Sequence, residues 1–512
     1  ACFLSLFCTF LAWENEEPSK SGSTPGEAEL RWTGLTLDEC VLKAYEHNIS
    51  LKNSRQALDS RETFIGEANG RFDPEFFIRA TGAETITPTS TSLDRLIYQG
   101  SIDASDVDTL NMATGFTGTL LSGATYTLDL QVNHYFDPAS RDFLQFDPIY
   151  SNGLGIEIRQ PLLKGGWTGF NRVQAVKAGL NTQSEALSLE TNINEVLFNT
   201  IEAYWNLVFA NEDVKAKEKS LELAKDLLQI NTRKKEEGVF SKLEVLEASA
   251  EVAMKKEQLI TARNSVLAAE DAVKRLILPF DQTSEWNVRI TTLTVAEEVK
   301  AMEYDMDTLI SESMEYRSEM KQQQLQLKNM EMDVVSARNQ LLPSLDVTGS
   351  YRFNAIGSNV GNSFNDIEKR KYRSFSVGME FACPLGNRIA SNVLRRAEIE
   401  YQRSLTTLKE LEVQIVYEIR DAVREITLQR EKLAASEESW RLSWERYDGE
   451  KKRLEAGISI SYQVREAERN LLTETVNRAR SLLDYQIALA RLEKAKGTLL
   501  TKYDIPAPEP CL

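Results

Sequence analysis

The chain has 512 residues, a formal net charge of -17, and only 25 Gly and 13 Pro. The acidic balance excludes a nucleic-acid surface, which needs clustered Lys and Arg. Scarce Gly and Pro, with Ala, Leu, Glu, Lys, Gln and Arg dominating long stretches, point to long helices rather than the several globular domains that this length otherwise implies.

Residues 1–29 form a separate N-terminal segment. Phe3 to Ala12 is an apolar run followed by acidic sequence rich in Ser, Pro and Gly. The run is shorter than the roughly 20 residues of a spanning helix and reads as the hydrophobic part of a secretory signal whose start is missing. Lipidation at Cys8 meets Phe7, bulky where a small residue is wanted. The five cysteines (Cys2, Cys8, Cys40, Cys383, Cys511) lack metal-ligand spacing, and His47 and His134 are isolated. Free thiols, no metal and no cofactor are therefore expected. No other stretch is an apolar 18-mer, so entry into a membrane falls to strands.

From residue 30 the chain reads as two halves, 30–278 and 305–503, joined by 279–304 and followed by a tail, 504–512. Each half predicts a helix, strands, a very long helix, a sharp tip and a returning helix. In the first half Tyr126, Leu128, Leu130 and Val132 alternate with Thr127, Asp129 and Gln131, and Leu154, Ile156 and Ile158 alternate with Gly155, Glu157 and Arg159. Such a period of two predicts strands. Pro74 to Pro161 spans 87 residues and the equivalent Pro343 to Pro384 spans 41, so the first half carries 46 extra. These are expected to form a long outward loop, rich in Ser, Thr and Asp from Thr85 to Thr114. The competing reading is a further hairpin around Ser122-Gly123-Ala124.

From about Asn171 to Glu237 there is no Pro and one Gly, and Ile193, Val196, Leu197, Ile201 and Tyr204 recur at helical spacing. The rod is about 100 Å long at 1.5 Å per residue. That is over three times the roughly 30 Å of bilayer hydrocarbon, and its charges keep it out of lipid. Gly238 closes it as a left-handed cap, and Ser241 offers the next N-cap.

The second half repeats the plan. Leu345, Val347, Tyr351 and Phe353, then Phe375, Val377, Met379 and Phe381, alternate with polar residues. A long helix from about Ile389 to Glu455 ends at Gly457, with Ser459 or Ser461 as the next cap. The returning helix carries Leu482, Tyr485, Leu489, Leu492, Lys496 and Leu499 at coiled-coil spacing. One constant offset lays Gly238–Ala248 on Gly457–Ala467, which points to tandem duplication.

A soluble sheet with one wet face alternates as membrane strands do; aromatics near the strand ends favour the membrane. Two strands per half make four per chain, whereas the smallest closed membrane barrels have eight. Open edges do not survive in lipid, so several chains must share one barrel, and three would give twelve strands.

Four segments in order carry a family resemblance: Gln160 to Gly166, Ala203 to Leu207, Gly238 to Ala248, and Tyr485 to Leu500. From about Leu35 to Tyr503 the chain resembles the TolC-type outer-membrane efflux proteins. The resemblance implies a coiled-coil tube joined to a transmembrane β-barrel, shared by a homotrimer. It implies twelve strands in outer-membrane lipid and twelve helices in the periplasm. It also implies a periplasmic adaptor at the tip and an inner-membrane pump or ABC transporter that supplies energy, while cargo passes unaltered. The family's two gate aspartates fall at Gln463 and Glu466, so one acidic ring, at Glu466, is expected in place of two. The plainer reading makes Glu466 and Glu468 solvated helix residues. Gly238, Val239 and Phe240 with Gly457, Ile458 and Ser459 are the expected adaptor contacts, since exposed apolar residues at a hairpin tip call for a cover.

Enzyme chemistry finds no foothold, for there is no Walker loop, nucleophile elbow or HExxH motif, and Tyr204 and Trp205 read as helix packing. The expected function is an exit channel for efflux or type I secretion. The alternative is a soluble periplasmic coiled-coil scaffold or adaptor, which would lack lipid-facing strands.

Overall fold

The computed structural model of the chain describes residues 32–88, 104–137, 148–280, 286–294 and 304–508. The expected secretory run and Cys2, Cys8 and Cys511 lie outside the described residues.

The first half runs β1 (Trp32–Leu35), α1 (Leu37–His47), α2 (Ile49–Gly70), β2 (Glu75–Pro88), β3 (Ala104–Thr119), β4 (Thr125–Phe136), β5 (Ile149–Pro161), a one-turn α3 (Thr168–Asn171), α4 (Val173–Glu236) and α5 (Lys242–Ile277). After β6 (Arg289–Thr292) come α6 (Met306–Tyr316), α7 (Ser318–Leu341), β7 (Ser344–Gly357), α8 (Val360–Glu368), β8 (Tyr372–Ala382), α9 (Arg388–Glu455), α10 (Ser461–Lys496) and a short α11 (Leu499–Lys502).

The single short helix expected in each half is two. α1 starts in a capping box between Thr36 and Glu39 and ends at Asn48, whose extended backbone breaks the helix. The Asn48 carboxamide oxygen accepts from the Ser50 and Leu51 amides, and its Nδ2 donates to the Leu276 carbonyl at 3.0 Å. The break is thereby capped and tied to α5. Arg317 makes the same break in the second half, at φ -65° and ψ 125°.

α4 has 64 residues and α9 has 68, so both are about 100 Å rods. α4 packs against α5, α2, α7 and α10, which explains why its buried residues, among them Ile193, Val196, Phe198, Trp205 and Ala210, spread well beyond one narrow stripe. α10 buries two stripes. Leu483, Ile487 and Ala490 join the cluster around α4, while Tyr485, Ala488 and Leu492 join Ile419 and Ile426 of α9. The Lys496 interruption of its seam is an ion pair with Glu312 at 3.2 Å. The core thickens at a waist where β1 and β6 pair in parallel. There the buried Tyr204 hydroxyl donates to the Leu35 carbonyl at 3.1 Å and accepts from the Thr294 amide at 3.0 Å. Tyr204 and Trp205 are thus packing residues, and the segment 279–304 contains a strand.

The main sheet has six strands, in the order β2-β3-β4-β5-β7-β8, antiparallel throughout. This corrects the expected outward loop. Residues 85–88 and 104–114 are strand, and the extra residues build a hairpin arm into the sheet; residues 89–103 lie outside those described. The physical reason is an alternation that Thr and Gly dilute. Leu110, Met112 and Phe116 of β3 lie on one face, Asn111, Ala113 and Thr117 on the other.

No helix among the described residues is long and apolar enough to cross a membrane.

Candidate functional site

Two adjacent rows of the sheet decide what its faces can do. The pairing register aligns Phe76, Phe116, Leu128, Ile156, Tyr351 and Phe375 across all six strands, and every one is exposed. The next row on the opposite face is Glu75, Thr117, Thr127, Glu157, Ser350 and Ser376. A continuous apolar band with a polar reverse is what a lipid-facing wall with a wet inner face requires.

The polar face carries a built ion pair. Asp129 on β4, Gly155 on β5 and Arg352 on β7 lie in one row. The Arg352 guanidinium crosses above Gly155 to chelate the Asp129 carboxylate, with Nη2 at 2.9 Å and Nη1 at 3.1 Å. Gly155 is what lets it pass: a Cβ there would sit 2.7 Å from the guanidinium carbon. A second pair on adjacent strands joins Arg159 Nη2 of β5 to Asp346 Oδ2 of β7 at 2.6 Å.

Where the sheet meets the helices, the β3–β4 turn is seated on the strand-to-helix junction. Ser122 Oγ donates to Gln160 Oε1 at 2.9 Å, and Gln160 Nε2 donates to the Ser122 carbonyl at 3.2 Å. Gly123, at φ +85°, lies so close that a Cβ would come within 2.3 Å of the Gly165 carbonyl. The Asn171 carboxamide, which holds that carbonyl at 2.9 Å, is also in contact.

The two hairpin tips lie side by side at the far end. Gly238 (φ +77°) and Gly457 (φ +75°) close α4 and α9 in left-handed caps. The Val239 amide donates to the Lys234 carbonyl and the Ile458 amide to the Arg453 carbonyl, satisfying carbonyls that the helix ends leave open. Ser241 caps α5 in a box with Glu244, whose carboxylate takes the Ser241 amide at 2.5 Å. The second tip departs from expectation. α10 starts at Ser461 with Ile460 in the cap position and no side-chain cap. Ser459 instead donates to Glu450 Oε2 at 2.7 Å and lies 2.9 Å from the Gln463 side chain. Leu227, Leu454 and Val464 join the tips, as does an Arg465–Glu247 ion pair at 2.9 Å.

The expected tip contacts are partly brought together. Val239 and Ile458 are exposed, with Ile460, Tyr462, Leu243 and Leu246 around them, while Phe240 lies half-buried under the Lys234 ammonium at 5.2 Å. Gln463 is exposed and Glu466 half-buried, 3.6 Å from Arg469. Glu468 is not solvated: it is 5% exposed and accepts from Ser220 Oγ at 3.0 Å. Burial pushes its carboxyl above the ordinary value, against the Lys255 charge and the Ser220 hydroxyl. Sequence reasoning missed this buried acid, because a Glu beside polar neighbours on a charged helix gives no burial signal. It also missed the Asp129–Arg352 pair, although Gly153 and Gly155 within a strand are a signal that a neighbour approaches closely.

Solved structures of similar fold include the Campylobacter jejuni CmeC outer membrane channel, at 18% identity and TM-score 0.67, covering 90% of this chain and 85% of that one. The Vibrio cholerae outer membrane protein VceC is similar at 15% identity and TM-score 0.63, covering 90% and 96%. The open state of the Neisseria gonorrhoeae MtrE outer membrane channel is similar at 15% identity and TM-score 0.61, covering 90% and 88%. At these identities the likeness establishes the fold alone: long paired helices joined to an antiparallel sheet. No curated protein matches. The family model for outer membrane efflux protein matches residues 126–277 and 309–498, about two thirds of the chain. Its place is the outer membrane, with the helices in the periplasm, and the chain belongs to the outer membrane efflux protein family.

Proposed function

We propose that three copies of this chain assemble into a passive exit duct that spans the outer membrane and continues as a helical tube through the periplasm. The apolar row from Phe76 to Phe375, backed by the polar row from Glu75 to Ser376, carries the reading. One face suits lipid and the other a water-filled lumen, and six strands with two open edges need further copies to seal.

The helices support it. Ile399, Val413, Tyr417, Leu428 and Leu442 of α9 are exposed and fall within about 60° of one another on a helical wheel. A long apolar stripe of this kind is covered when a neighbouring copy packs against it. The exposed Val239, Ile458 and Ile460 at the tips fit a helical-hairpin adaptor in the manner of a tripartite pump, whose inner-membrane component supplies the energy. Glu466 from three copies would form one acidic ring near the axis, with Gln463 one turn away. We extend the duct to small-molecule efflux or to type I secretion; both need the same passive lumen.

Fractionation and cross-linking test this. Expressed with a secretory signal, the chain is expected in the outer-membrane fraction as a detergent-resistant oligomer of three. A monomer in the soluble periplasmic fraction would refute the proposal and favour a scaffold role.

A further inference from the structure

We infer that the barrel has eighteen strands, six from each copy, so that it opens about one and a half times wider than the twelve-stranded barrel expected from four per copy. The inference rests on the three-copy duct proposed above. Its own support is the β3–β4 hairpin, the two strands by which the sheet exceeds four.

Three observations place β3 and β4 in the wall. First, they share the rows. Phe116 and Leu128 continue the apolar line between Phe76 and Ile156, and Thr117 and Thr127 continue the polar one, with their hydroxyls 3.3 Å apart. A loop excursion has no reason to match both faces over twelve paired positions, yet the register from Asp108↔Phe136 to Thr119↔Thr125 is unbroken. Second, the β3–β4 turn is fitted to the junction through Ser122, Gly123, Gln160, Gly165 and Asn171. Third, β3 and β4 meet closely at Gly115, which pairs with Asp129 and where an added Cβ would lie 2.0 Å from the Leu128 carbonyl oxygen.

The open edges then fix how copies join. β2 and β8 are the terminal strands; β8 is exposed along its length and β2 at every position but Phe77. Five antiparallel steps separate them, so β8 runs opposite to β2. β8 of one copy therefore meets β2 of the next in the same antiparallel sense, and three units close without a parallel seam. Barrel diameter grows with strand number; at about 4.8 Å between strands and a tilt of about 40°, eighteen strands give a backbone diameter of about 36 Å, against about 24 Å for twelve. The tube need not widen with it. β2, β5, β7 and β8 lead from or into α2, α3–α4, α7 and α9, while β3 and β4 turn back at the junction. The duct is then a wide vestibule set on a narrower tube.

Electron cryomicroscopy of the full chain purified in detergent counts the strands directly. A second measurement reads the same wall in lipid. In a chain whose native cysteines are replaced by alanine, single cysteines are placed along β3 at Asn111, Met112, Ala113 and Thr114 and challenged with a hydrophilic maleimide. Lipid holds a thiol un-ionised, so Asn111→Cys and Ala113→Cys are expected to react about tenfold faster than Met112→Cys and Thr114→Cys. Eighteen strands with alternating reactivity sustain the inference. A three-copy ring of twelve strands, or equal reactivity at all four positions, overturns it and leaves the duct standing. A closed ring of two copies overturns both the strand number and the three-copy assembly, and a chain that forms no ring in the membrane overturns the duct itself.

Discussion

Replacing Ile156 with Arg separates the two faces of the sheet energetically. Ile156 lies in β5 between Leu128 and Tyr351, with its side chain exposed on the apolar face. β5 runs from Ile149 to Pro161, which puts Ile156 one residue past the middle of the strand. At about 3.3 Å per residue and a tilt of about 40°, that is about 2.5 Å from the mid-plane of the bilayer. An Arg at that depth costs about 2–4 kcal/mol on a lipid face. Ser350→Arg is the control, in the neighbouring column but on the polar face. It gives up the 2.8 Å hydroxyl contact with Ser376, worth about 0.5–1.5 kcal/mol, and places its charge in water. Urea unfolding of protein folded into lipid vesicles reads both, and the expected order is a clearly larger loss for Ile156→Arg. Equal losses, or a larger loss for Ser350→Arg, would show that the apolar face does not meet lipid.

Four further outcomes are expected. Arg352→Ala strands the Asp129 carboxylate, 5% exposed, at a cost of about 1–3 kcal/mol, and should shift the reversal potential of the open duct toward cation selectivity; an unchanged potential would remove the pair from the lumen wall. Gly457→Ala is expected to cost about 1 kcal/mol through backbone strain alone, since φ is +75° and nothing lies within 4 Å of the added Cβ. Gly457→Asn should recover much of that, read as hydrogen exchange at the tip. Glu468 supplies a pH dependence. Its raised pKa means that the folded chain keeps a proton which the unfolded chain releases, so its contribution favours folding in acid and fades as pH rises above the ordinary value of 4.5. Glu468→Gln should therefore narrow the gap in melting temperature between about pH 5 and about pH 8, and an unaltered gap would contradict the burial argument. Glu466→Gln removes mutual repulsion from a ring of three carboxylates and is expected to lower the open probability in single-channel records; identical records would exclude Glu466 from the gate.

Much of the helical architecture was legible because period and punctuation agree. The long helix expected from about Asn171 to Glu237 is α4, Val173–Glu236, and its partner expected from about Ile389 is α9, Arg388–Glu455. Both end where a glycine offers the left-handed turn that the next helix needs. The breaks at Asn48 and Arg317 were not legible, since each depends on contacts far along the chain: Asn48 on the Leu276 carbonyl, Arg317 on Glu418 at 2.5 Å. Strand periodicity showed β4, β5, β7 and β8 through their regular Leu, Ile, Val and Phe. It failed for β2 and β3, where Thr, Gly and Asp occupy many positions and the apolar set is spread thinly. What those strands mean emerges only when the register lines Phe76 and Phe116 up with Leu128. At the tips, sequence located Gly238 and Gly457 but misassigned Ser459, because a serine before a helix reads as a cap until Glu450 is seen to claim its hydroxyl.

The central claim is a water-filled passage walled by the polar face, and single-channel recording of the purified full chain in a planar bilayer tests it most directly. Discrete, uniform conductance steps that persist without any energy source are the expected result. A bilayer that stays silent after verified insertion of the protein would contradict the claim.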